Sequence, residues 1–261
     1  MFKSGLVSIS FRQYSPEEIV DFCKQANISG IEWGGDIHCP HGDLERAKEV
    51  RELTESAGIK VAAYGSYYRC EEDKLKFIDV LASAKALGAP VIRVWAGSKG
   101  AEDASDEYKQ MVTKQLIKCA EMAAKEGIKV ATEYHGGTLT DFNDNAADLF
   151  NNAQHENLLT YWQPPIRTTV DYRLEGLKAL QHKVVAMHVF QWDFLPEVDT
   201  PEIRLPLSEG KVEWMSYFEV LKEKAQEQDY YTFLEFFTDN NKDNFFRDAA
   251  TLNEWLDELN T

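Results

Sequence analysis

Two periodicities alternate along the chain. Short apolar runs rich in β-branched residues recur at 6–10, 30–33, 60–64, 91–95, 129–133, 158–162, 184–189 and 231–235. Several are continuous enough to be strands covered on both faces. Between them apolar residues fall at helical spacing: Ile19, Val20, Phe22 and Cys23, then Leu44, Ala47, Val50, Leu53 and Ala57, then Tyr108, Met111, Val112, Leu116, Cys119, Ala120 and Ala123. Ser15-Pro16-Glu17-Glu18 opens the first helix with a serine cap, a proline at the first helical position and a glutamate at the third. Three junctions share one form, Ala57-Gly58-Ile59-Lys60-Val61, Leu87-Gly88-Ala89-Pro90-Val91 and Glu126-Gly127-Ile128-Lys129-Val130. In each, a glycine just past a helix takes the left-handed conformation without a Cβ clash, and a strand comes directly after it. Ala26-Asn27-Ile28-Ser29-Gly30-Ile31 reads as a further copy, with Asn27 or Gly30 at the turn.

A strand–helix unit repeated roughly every 30 residues predicts an α/β fold, a single (β/α)8 TIM barrel over 1–261 with its active site at the carboxyl ends of the strands. A doubly wound open sheet fits less well, because no Gly-x-Gly-x-x-Gly follows an early strand. The longest connection, the polar stretch 193–209 ahead of a helix over 212–228, is expected to overhang the barrel mouth.

Four of the later runs end in a group that can ligate a metal. Lys129-Val130-Ala131-Thr132 leads to Glu133, Leu158-Leu159-Thr160-Tyr161-Trp162 to Gln163, Val184-Val185-Ala186-Met187 to His188, and Tyr231-Thr232-Phe233-Leu234 to Glu235. In a parallel barrel those ends converge on one mouth. Hard oxygen donors with one imidazole suit a single divalent ion, Mn2+ first, with Mg2+, Co2+ or Zn2+ as alternatives. Such an ion would hold a carbonyl and its neighbouring hydroxyl and acidify the C–H between them. Glu133 and Glu235 would then remove and return the proton.

Composition narrows the partners. Hydrophobic residues make up 44% of the 261, enough for a large core, while the formal net charge of -16 opposes nucleic acid and anionic lipid. The substrate is therefore expected to be a small molecule. Cys23, Cys39, Cys70 and Cys119 lack CxxC or dense spacing and read as free thiols in a reducing compartment. No leader-like segment and no run long enough to span a bilayer is recognised, so a cytoplasmic protein is expected.

Four segments carry a resemblance: Ile31-Glu32-Trp33-Gly34-Gly35-Asp36-Ile37-His38, Thr132-Glu133-Tyr134-His135-Gly136-Gly137-Thr138, His188-Val189-Phe190-Gln191-Trp192, and Arg204-Leu205-Pro206-Leu207-Ser208-Glu209-Gly210 before Trp214. Together the chain resembles the xylose isomerase-like barrel superfamily, which includes tagatose and psicose 3-epimerases, inosose dehydratase and endonuclease IV. The resemblance spans essentially the whole chain and is specific for the superfamily, not for one substrate. It implies a metal-dependent sugar isomerase or epimerase working through a metal-stabilised enediolate. Glu133 and Glu235 would be both ligands and acid/base groups, His188 the imidazole ligand, and Arg204 a contact to substrate oxygens. A sugar or polyol is the implied substrate, and relatives often pair subunits into homo-oligomers. A cyclic-polyol dehydratase and a sugar-binding barrel without turnover are the alternatives. One departure stands out: the epimerases carry an aspartate where this chain has Gln163, which would leave the site one negative charge fewer.

Further substrate contacts are expected from His135, beyond Glu133 in a glycine-rich turn, from His38 after the second strand, and from the aromatic faces of Trp33, Trp95 and Trp162 near strand ends. Glu32 reads equally as a buried ion pair or a substrate contact. Two other chemistries compete. Ala96-Gly97-Ser98-Lys99-Gly100 loosely matches a nucleophile elbow, but the polar stretch 101–107 does not start a helix. A DNA-repair endonuclease would need more His and Asp ligands at strand ends and a surface less hostile to phosphate.

Overall fold

The computed structural model describes residues 1–71, 75–194 and 202–261. Strands β1 (Phe2–Val7), β2 (Gly30–Gly34), β3 (Lys60–Gly65), β4 (Val91–Val94), β5 (Lys129–Glu133), β6 (Leu158–Trp162), β7 (Val184–Val189) and β10 (Tyr230–Leu234) succeed one another around a closed barrel, and β10 returns to β1. Every pairing in the barrel is parallel. Outside run α1 (Pro16–Gln25), α2 (Leu44–Ser56), α3 (Phe77–Leu87), α4 (Asp106–Ala124), α5 (Asn143–Asn152), α6 (Val170–Leu180), α7 (Lys211–Glu227) and α8 (Lys242–Asn260). After β7 a two-stranded antiparallel ribbon, β8 (Trp192–Asp193) with β9 (Ile203–Arg204), anchors both ends of the connection expected to overhang the mouth. Its centre, 195–201, lies outside the described residues.

Local chemistry sets the element ends. The Ser15 hydroxyl accepts from the Glu18 amide at 3.3 Å, and the Glu18 carboxylate accepts from the Ser15 amide at 2.9 Å, completing the capping box. Asn27, Gly58, Gly88 and Gly127, the four expected turn positions, have φ of +54°, +79°, +77° and +70°. The first strand is shifted from the expected 6–10 to Phe2–Val7, and Ser8–Phe11 form a 3-10 turn instead. Gly5 is the reason its period was hidden: a Cβ there would collide with the Phe233 ring, so this inward position must be empty.

Alternation along the strands divides the core into two layers. Val7, Ala63, Val91, Ala131, Tyr161, Ala186 and Phe233 fill the barrel interior. The larger layer lies between strands and helices, where Trp33, Trp162, Trp214 and Trp255 are buried. The chain closes on itself at β1, where the Asn260 side chain accepts from the Phe2 amide and donates to the Phe2 carbonyl, each at 3.1 Å. No helix among the described residues is long and apolar enough to cross a membrane.

Candidate metal centre and pocket

Because side chains alternate faces, the inward residues two positions beyond the interior layer all rise to the same rim. Ala131 is followed by Glu133, Tyr161 by Gln163, Ala186 by His188, and Phe233 by Glu235. The register staggers them by two residues: Glu133 pairs with Tyr161, two before Gln163, and His188 with Phe233, two before Glu235. Glu133, His188 and Glu235 each present a donor atom within 4.8 Å of the others, and all three are buried. The Nδ1 of His188 is ringed by Gln163 Oε1 at 3.2 Å, Glu235 Oε2 at 3.3 Å and Glu133 Oε1 at 3.4 Å. One ring nitrogen carries at most one proton for three acceptor oxygens. Donors held about 2.0–2.3 Å from a shared divalent ion lie about 3.0–3.5 Å apart, so the four groups fit such an ion. The four strand-end groups singled out in the sequence are thus gathered at one place.

A layer of paired charges lies beneath. Glu32 and Arg93 are fully buried, with the Arg93 Nε donating to Glu32 Oε1 at 2.6 Å and the far end of the guanidinium bonded to Glu133 Oε2. The other Glu32 oxygen, Oε2, lies 3.5 Å from His188 Nε2. Burial alone would raise Glu133, but Arg93 and His188 override it and hold the carboxyl far below its usual range. Glu32 is likewise lowered, against the effect of its burial, by Arg93 and His188. Burial would lower His188, yet Glu235, Glu133 and Glu32 together push it well above the ordinary imidazole value. Glu32 thus resolves as a buried ion pair. Arg93 escaped the sequence reading, although a lone arginine in the period-two pattern of Val91-Ile92-Arg93-Val94 places it on the inward face with Val91.

Above these groups opens a cavity of about 510 Å³. Glu133, Gln163, Glu235 and His135 are among its polar lining; Phe142, Ile166, Phe190, Trp192, Phe194 and Phe236 supply an apolar wall. The His135 ring stacks on Trp95 at 4.7 Å, and the Arg69 guanidinium lies 4.1 Å from the Trp95 centroid. His135 Nδ1 is 2.7 Å from the Gly136 carbonyl, so Nδ1 carries the hydrogen and Nε2 is left as an acceptor in the neutral ring. Tyr67, not singled out in the sequence, is half-buried beside Trp95 with its hydroxyl accepting from Arg12 at 3.0 Å. Burial pushes its phenol up to about 12. Its φ of +56° is costly for an aromatic residue, of order 1–3 kcal/mol, and such strain clusters at working sites.

Four expected substrate contacts are corrected by this geometry. Trp33 points out of the barrel and donates its indole N–H to Thr54 of α2 at 3.1 Å. Trp162 follows inward-facing Tyr161, so it too faces outward and packs on Tyr217 of α7. His38 is buried against Trp33, with Nδ1 2.9 Å from the Ser8 hydroxyl. Arg204 backs the wall instead of lining it: it lies 4.9 Å from the Phe236 centroid and 5.7 Å from that of Trp192, and its charge is met by Glu202 at 3.0 Å. The nucleophile-elbow reading also falls away. Ser98 donates to Glu71 at 2.7 Å, and α4 starts only at Asp106.

The comparisons agree with this architecture. The family profile described as xylose isomerase-like TIM barrel matches residues 20–259. The 3-dehydroshikimate dehydratase of Bacillus anthracis is 24% identical over 270 residues, covering 92% of this chain and 93% of that protein. The crystal structure of the probable 3-DHS dehydratase from Bacillus anthracis superposes with a TM-score of 0.78 at 21% identity, over 96% of this chain and 98% of that one. The IOLI protein with a bound zinc atom gives 0.76 at 16% identity, over 98% and 97%. D-psicose 3-epimerase from Clostridium cellulolyticum H10, solved with D-tagatose, gives 0.71 at 12% identity, over 98% and 99%.

Proposed function

Since the chain belongs to the xylose isomerase-like TIM barrel family, we propose that it is a divalent-metal-assisted lyase removing water from a small cyclic hydroxy-ketone, with 3-dehydroshikimate the first substrate to test. One observation carries this reading: Glu133, Gln163 and Glu235, gathered around the buried His188, line a cavity with Phe142, Phe190, Trp192, Phe194 and Phe236 on its apolar wall. An open-chain ketose exposes hydroxyls along its length and needs polar partners on several sides. A ring that becomes flatter as it loses water is better matched to apolar walls with polarity concentrated at one end. The full-length likeness to a 3-dehydroshikimate dehydratase supports the same choice.

The residues present would hold a divalent ion through Glu133, Gln163, His188 and Glu235, and Mn2+ is the ion proposed. When bound, that ion supplies a Lewis acid for the substrate carbonyl and makes the adjacent C–H more acidic. His135, with Nε2 free to accept, takes the proton from that carbon and delivers it to the departing hydroxyl. One C–H and one C–O bond break and one water leaves. Trp95 keeps the imidazole in place by stacking, and the aromatic wall excludes bulk water. Glu235, reaching the cavity floor, is the second base for the remaining ring proton.

The test is direct. Protein loaded with Mn2+ or Co2+ is mixed with 3-dehydroshikimate and the ultraviolet absorbance of an aromatic product is monitored. A progressive rise supports the lyase. A second reading, ketose epimerisation, draws on the two glutamates facing each other across His188 Nδ1. Interconversion of D-psicose or D-tagatose without aromatic product would favour it, and metal uptake with neither reaction would favour a sugar-binding barrel.

A further inference from the structure

Resting on the metal-site reading above, we propose that Glu32 is a positioning residue: it takes the Nε2–H of His188, fixes the imidazole as that tautomer, and so aims the Nδ1 lone pair into the site. The two ring nitrogens of His188 meet different surroundings. Nδ1 faces Gln163, Glu133 and Glu235 at 3.2–3.4 Å, while Nε2 faces Glu32 Oε2 at 3.5 Å. A neutral imidazole has one N–H; with a cation among the oxygens around Nδ1, that hydrogen stays on Nε2, where Glu32 accepts it. Glu32 is 0% exposed and could not remain ionised there alone. Arg93, 1% exposed, compensates it through the 2.6 Å bond to Oε1, which leaves Oε2 to face the imidazole.

The fold has made room for this pair. A Cβ on Gly65 of β3 would lie 2.6 Å from Glu32 Oε1 and 2.8 Å from an Arg93 guanidinium nitrogen. Gly65 has no left-handed backbone to explain it, so the empty space is what the position supplies. The guanidinium's other end binds Oε2 of Glu133, and Oε1 of that residue is the one turned toward His188 Nδ1. Arg93 thereby orients one ligand directly and another through Glu32. Counting Glu32, Glu133 and Glu235 as anions, Arg93 as a cation and a metal-bound His188 as neutral leaves two negative charges, which a divalent ion balances.

Binding and spectroscopy test the assignment without turnover. Mn2+ titration monitored by the electron paramagnetic resonance of the free ion compares the wild type with Glu32→Gln and with Glu235→Gln. Glu32→Gln should weaken Mn2+ by about 10- to 100-fold, as supporting carboxylates do elsewhere. In 15N-labelled wild type loaded with Zn2+, the His188 ring, identified by its loss in His188→Gln, should show a protonated Nε2 and a metal-bound Nδ1. This measurement needs no folded variant at Glu32. Zn2+ on Nε2, or wild-type Mn2+ affinity in Glu32→Gln, overturns the proposal while leaving the metal site intact. Failure of the wild type to take up Mn2+, or indifference of uptake to Glu235→Gln, overturns the metal reading and this assignment with it.

Discussion

Replacing Arg93 by methionine should be among the most damaging single changes available to the barrel. Arg93 is buried between Glu32 and Glu133 and bonds both. Methionine fills similar volume but leaves two buried carboxylates with His188 alone to offset them. Removing one partner of a buried ion pair costs about 3–5 kcal/mol. For a domain of this size that is a fall in Tm of roughly 6–20 °C. Arg12→Met is the control, since its partner Asp36 is a third exposed and such surface pairs contribute at most about 1 kcal/mol. The pH dependence gives the effect a sign. In the wild type Glu32 and Glu133 titrate below the ordinary carboxylate value of 4.5, so their contribution is complete above that value and is lost as pH falls through the depressed pKa. Without Arg93, burial dominates and reverses the shift, which penalises the folded state at neutral pH and spares it in acid. The wild-type advantage should therefore be largest near neutrality and shrink on acidification below about 4.5. Urea unfolding with EDTA present, repeated along a pH series, measures this. A difference under about 1 kcal/mol at neutral pH, or one that does not narrow in acid, would refute the account of the buried network.

Other expectations can be checked alongside it. On whichever substrate turns over, Glu133→Gln and Glu235→Gln should each lower kcat by at least about 100-fold with little change in unfolding temperature; near-normal kcat removes Glu133 from the proposed metal site or Glu235 from proton transfer. EDTA should abolish turnover and Mn2+ restore it, while Gln163→Asp should tighten Mn2+ in a competition titration by restoring a negative charge. Unchanged affinity would exclude Gln163 as a ligand. All four cysteines are buried, and burial pushes the Cys39 thiol up to about 12 and raises Cys23 and Cys70, so a disulfide dye should label none in the native protein and all four after denaturation. Rapid native labelling would contradict the packing described.

The barrel could be read from the chain because its strongest local signals agreed. Glycine turns marked where helices stop, and β-branched runs marked where strands begin, so β5, β6 and β7 match the expected ranges residue for residue. The proposed ligand set was legible for the same reason: period-two alternation and strand ends suffice to place Glu133, Gln163, His188 and Glu235 on one rim. Orientation around the rim was harder. Trp33 and Trp162 occupy strand ends but the wrong parity, one residue from inward-facing Glu32 and Tyr161, and aromatic character alone does not distinguish the two faces. Arg93 was missed because a charge within an apolar run looks like a flaw until its partners, 61 and 40 residues away along the chain, are beside it. Tyr67 gave no cue, since its left-handed backbone is imposed by the surrounding loop and not by its own residue type.

The Asn260 clasp on Phe2 puts both chain ends at the start of the barrel strands, while Glu133, His188 and Glu235 stand at the far ends. Anything fused or tethered at either end therefore attaches to the floor of the molecule. The protein can be immobilised by its tail on a bead or sensor surface with the chamber facing outward, so small molecules can reach it without passing the support.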